Sequence, residues 1–151
     1  LREDWSPAGI RAALSGTLPE GFEAVGAHRL SMAKRQPQPG YETFILNLQA
    51  PKPQAEAWRS RLLEAARAET LPVTRRTKRG EKIVDAAPFL RLAAEGAGGS
   101  VLLTLDWSEG YLNPLVLLRA LLPEAGPEQL EFIKTGQYFT PDRLPPEHQI
   151  P

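Results

Sequence analysis

The sequence predicts an α+β protein built on a ferredoxin-like split βαβ unit (βαββαβ) with an added helix and strand. Three observations carry that expectation. "YETFILNLQ" (41–49) alternates, with Phe44, Leu46 and Leu48 on one face, as a half-buried strand does. "PQAEAWRSRLLEAARAE" (53–69) sets Trp58, Leu62, Ala65 and Ala66 at helical spacing. "VTRRT" and "EKIVD" flank "KRG", where Gly80 suits a three-residue hairpin loop.

The elements follow in order. "LREDW" (1–5) reads as a strand end, and Ser6-Pro7 supplies an N-cap and first helical residue for "PAGIRAALSG". "FEAVGAHRL" (22–30) reads as a strand, so residues 1–30 form the trailing βαβ of a first module. "SMAKRQPQPG" (31–40) has the polar, Pro- and Gly-rich composition of a linker. Residues 41–139 form the ferredoxin-like module, whose second half begins with a short helix, "APFLRLAAEG" (87–96), and a buried strand, "SVLLTLDW" (100–107). Asn113-Pro114 then caps a helix to about Leu122, and "QLEFIKTGQYF" (129–139) returns as a strand. The remainder, 140–151, has little to bury and is expected to be an extended tail.

Composition narrows the function. The 151 residues hold 18 basic and 18 acidic side chains, so only a local patch gives an electrostatic reason for a polyanionic partner. With no cysteine there are no disulfides, thiolate metal sites or cysteine-ligated clusters, and no cofactor is expected. No apolar run reaches a membrane span; "LVLLRALL" carries Arg119. With no signal peptide visible, the cytoplasm is the expected location.

Four stretches, "LPEGFEAVGAHRL", "VTRRTKRGEKIVDAAPFL", "LNPLVLLRALL" and "FIKTGQYF", together resemble the family of radical SAM-linked proteins. These are a bacterial domain of unknown function, found alone or fused behind a radical SAM enzyme. The resemblance covers residues 1 to 139 and matches the family's C-terminal half; its front motifs, a Ser-His-Leu-Asp stretch and a Gly-Phe-Asn-Pro-His-Pro stretch, are absent. It implies a radical SAM partner and RNA-related company.

Catalytic patterns are sparse. His28 and His148 have no serine motif nearby. "GAGGS" (96–100) leads into a strand, where a phosphate cradle needs a helix N-terminus. Asp85 and Asp106 are candidate sheet-edge carboxylates: in a ferredoxin-like order they end parallel strands about 10 Å apart, two strand spacings. Each alternatively caps the loop after its strand.

The strongest signal is "VTRRTKRGEKIVD" (73–85). Arg75, Arg76, Lys78, Arg79 and Lys82 against Glu81 leave a net charge of +4 over residues 74–82. Cations protect a sheet edge from aggregation, and cations on a projecting hairpin tip also suit phosphate contacts. Two functions are open. One is a non-catalytic accessory module binding RNA through this hairpin. The other is a scaffold docking on a radical SAM partner through its sheet face and the "LVLLRALL" helix. Trp5, Trp58 and Trp107 read as core or interface anchors and leave no stacking platform on the sheet.

Overall fold

The computed structural model describes residues 5–27 and 38–151. The chain divides into two compact units, residues 1–37 and 38–151. In the first, helix α1 (Pro7–Ser15) starts where the Ser6 hydroxyl accepts from the Gly9 N–H at 3.1 Å, with Pro7 fixing the first helical φ. Residues 22–27 form no strand; His28 and the rest of the expected strand and linker, 28–37, lie outside the described residues, as do residues 1–4.

The second unit is α+β, with a four-stranded antiparallel sheet compatible with a ferredoxin-like arrangement. Its elements are β1 (Tyr41–Leu48), α2 (Lys52–Ala65), β2 (Pro72–Thr77), β3 (Gly80–Asp85), β4 (Leu90–Glu95), β5 (Val101–Asp106), α3 (Pro114–Leu121) and β6 (Leu130–Tyr138). The main sheet runs β4-β5-β1-β6, and β2 and β3 pair only with each other. No helix among the described residues is long and apolar enough to cross a membrane.

Alternation in β1 works as expected. Phe44 and Leu46 meet Trp58 and Leu62 of α2 in one buried cluster, joined by Leu103 of β5 and Leu117, Leu118 and Leu121 of α3. Trp58 donates its indole N–H to Glu124 at 2.9 Å, and Arg61 bonds the same carboxylate and the Leu121 carbonyl. Those bonds tie α2 to the C-terminal end of α3.

Two elements differ from expectation. Residues 87–96 do not form a helix: after a turn at Ala86–Phe89, residues 90–95 pair with β5. "LRLAAE" is rich in good helix formers, but the glycine turn after it, with Gly98 at φ 63° and Gly99 at φ 79°, folds it back as a hairpin. Strand β3 also does not join the main sheet. The place beside β1 goes to β6, whose Phe132 stacks on Phe44 at 4.3 Å, whereas β3 offers the exposed Ile83.

Residues 140–151, expected to be extended, make two 3-10 turns and bury Leu144 and His148 against the far face of the sheet. Thr104 of β5 donates its hydroxyl to the His148 carbonyl at 3.0 Å and meets the ring Nδ1 at 3.2 Å. Burial pushes the His148 pKa down, against smaller opposing effects of Glu147 and the Leu103 backbone. The folded ring thus resists a proton that the unfolded chain accepts near pH ~6.5. Stability from neutral His148 is present above that pH and lost as pH falls through it. Melting temperature should therefore drop between about pH 7.5 and 5.5, and His148→Gln should flatten the dependence.

Candidate nucleic-acid interface

The ribbon β2–β3 is rooted at its base and free at its tip. Val73 is buried in the core and Val84 half-buried beside it, forming a cross-strand pair. Asp85 clasps the root: its carboxylate accepts from the Leu71 N–H at 2.7 Å and the Ala87 N–H at 3.0 Å. Those two bonds hold its pKa below the ordinary carboxylate value. Asp106 closes the turn after β5, accepting from the Ser108 N–H and hydroxyl. The two aspartates therefore end strands of different sheets, so they do not share the edge that the expected strand order gave them.

At the tip, Thr77 pairs with Gly80 across Lys78 and Arg79. The Thr77 hydroxyl accepts from the Arg79 N–H at 3.2 Å and donates to the Gly80 carbonyl at 2.9 Å, while Gly80 takes φ 119°. Backbone and one hydroxyl make the turn, leaving both cationic side chains out of it.

Arg75, Arg76, Lys78, Arg79 and Lys82 are all exposed, and none makes an ion pair among the described residues. Arg75 stands directly opposite Lys82. Like charges in that position destabilise a ribbon. Glu81 lies opposite Arg76 without closing a salt bridge. Sequence reasoning missed a sixth cation: Arg119, in the last turn of α3, lines a groove of about 500 Å³ with Pro72, Thr74 and Arg76. Its signal was its isolation in the apolar run "LVLLRALL".

A second polar group lies at the Tyr41 end of the main sheet. Glu42 faces the core side of β1 with only 9% of its side chain exposed, and accepts from Lys134 at 2.6 Å and Gln137 at 2.7 Å. Residues three apart on a strand normally face opposite sides. A bulge at Thr135, where Thr43 pairs with Gly136 and Phe44 with Lys134, turns both toward Glu42.

Residues 1–114 match a family model described as "Uncharacterized protein conserved in bacteria (DUF2344)". No curated protein and no solved structure matches the chain.

Proposed function

We propose that this chain, which belongs to that bacterial family, is a non-catalytic accessory module that binds RNA through the β2–β3 ribbon. The observation that carries the reading is the juxtaposition of Arg75 and Lys82, exposed, unpaired among the described residues and directly opposite each other. Edge protection needs charge, but it does not need two cations face to face at a cost in stability. A row of phosphates relieves that repulsion. Arg76 and Arg119 extend the positive surface from the ribbon to α3. Contacts of this kind give affinity without base specificity, as an accessory module presenting RNA to an enzyme would require. The resemblance to radical SAM-linked proteins suggests a radical SAM enzyme in that role, acting in the cytoplasm.

A second reading, a scaffold docking on such an enzyme without nucleic acid, rests on α3. Leu115 is 49% exposed there, beside an apolar groove lined by Leu118, Pro123, Leu130 and Phe132.

Salt separates the two. Titrating bulk tRNA into the protein should give a log–log salt slope of about −2 to −4, from counterion release at three to five phosphates. A slope near zero, or no binding at low salt, would leave the scaffold reading.

A further inference from the structure

A strand at the end of a sheet leaves a row of backbone N–H and C=O groups unpaired, which invites another strand. In the main sheet β4 is such a strand, bonded to β5 on one side and, among the described residues, to nothing on the other. The Gly96 N–H donates to the Ser100 carbonyl at 2.9 Å. Alternation along the ladder then turns the backbone groups of Ala94 toward β5 and those of Ala93 and Glu95 outward. The opposite edge, β6, is interrupted by its bulge, whereas β4 keeps register with β5 from Leu92 to Glu95 and departs from it only at Arg91. Residues 92–94 carry neither charge nor proline to keep another strand away.

A groove of about 480 Å³ follows this edge, lined by residues 91–95 together with Leu63, Ala66 and Pro151. Leu63 and Ala66 each follow a core residue of α2, Leu62 and Ala65, and stand half-buried on the flank of the helix. Both keep apolar surface that a neighbour over β4 would cover. Arg91 and Glu95 are exposed, and neither makes an ion pair among the described residues. Glu69 and Glu109 share a neighbouring hollow with Arg91 without closing on it.

We propose that β4 is the surface through which two copies of this chain pair, antiparallel and centred on Ala93, into one continuous sheet with four strands from each copy. The order of side chains selects a second copy over another strand. A two-fold axis through Ala93 sets residue 91 of each copy against residue 95 of the other, and residue 92 against residue 94. Arg91 thus meets Glu95 twice, opposite charges in the directly opposed position where they stabilise. Leu92 meets Ala94 twice, large against small. At the axis the two Ala93 residues exchange the N–H···O=C bonds that their outward backbone groups lack. Ala93 lies on the core face with α2, so the small side chains there leave room for the Leu63 and Ala66 flanks of the two helices to approach. Such an interface is isologous, the form that closes a dimer. It is independent of the phosphate-binding role given to the ribbon, whose cations do not line this groove.

Sedimentation equilibrium without RNA, over micromolar to submillimolar protein, tests it, with circular dichroism to show that each variant is folded. Wild type should sediment with twice the mass of one chain. Ala93→Pro should sediment as a monomer: proline removes the central outward N–H, and an edge strand tolerates it where that N–H faces away from the sheet. Arg91→Glu and Glu95→Arg each place like charges opposite one another and should weaken dimerisation at least tenfold. The two reversals combined should restore it, which a general loss of fold would not allow. A ribbon variant with Lys78 and Arg79 changed to glutamate should dimerise as the wild type does, whatever it does to RNA. A wild type that stays monomeric throughout would overturn the proposal, even if the open edge took a strand from a different protein. So would a dimer that folded Ala93→Pro and both single reversals leave intact, or a folded double reversal that stays monomeric.

Discussion

Phe44→Ala is expected to destabilise residues 38–151 by about 3–5 kcal/mol, the usual cost of emptying a buried aromatic site. Phe44 is 3% exposed, and its ring lies parallel to Phe132 at 4.3 Å, with the Lys134 ammonium 5.9 Å from its centroid. Truncation would leave a hole between β1, β6 and the helices, and remove the face on which Phe132 rests. The loss includes area burial and the roughly 0.5–1.5 kcal/mol of an aromatic pair. Urea unfolding followed by far-UV circular dichroism gives the number. Ile45→Ala, on the other face and only half-buried, should cost less. A Phe44→Ala loss below about 1 kcal/mol, the level of an ordinary substitution, would place the core on the wrong face of β1.

That face was legible because β1 and α2 each bury one side, and burial of one side writes its period into the sequence. Residues 90–95 were not legible for the converse reason. Leu90, Arg91, Leu92, Ala93, Ala94 and Glu95 have strong local helix preference, and what overrides it is pairing with β5, a tertiary contact. Which strand sits beside β1 was hidden in the same way. The choice of β6 over β3 depends on Phe132 finding Phe44, across 88 residues of chain (132 − 44).

The candidate sites divide along the same line. A run such as Arg75 to Lys82 announces its charge within a few residues. What makes it informative, the register setting Arg75 against Lys82, follows from the turn at Lys78-Arg79 with Gly80 in the left-handed region. Arg119 reaches the ribbon's groove only through the packing of α3. Glu42, Lys134 and Gln137 meet because of a bulge that no periodicity reveals. The burial of His148 likewise needs Thr104 on another element to receive it.

Reversing the charge at the ribbon tip should weaken RNA binding without disturbing the fold. Lys78→Glu with Arg79→Glu removes two attractions and adds two repulsions at the point that projects farthest from the core. RNA affinity should fall at least tenfold, equivalent to about 1.4 kcal/mol. These side chains should contribute more than Arg75 or Arg76, which sit lower on the ribbon. The turn itself should survive, because its hydrogen bonds belong to Thr77, the Arg79 N–H and the Gly80 carbonyl. Stability should accordingly stay within about 0.5 kcal/mol of wild type. The measurement is a fluorescence titration of bulk tRNA at two salt concentrations, run on wild type and double variant beside a thermal melt. An unchanged melt, with affinity lost at least tenfold and the gap narrowing at higher salt, is the result expected of an RNA grip. Equal affinity of the two proteins at both salt concentrations would contradict it and leave the ribbon as a solvated, charge-protected edge.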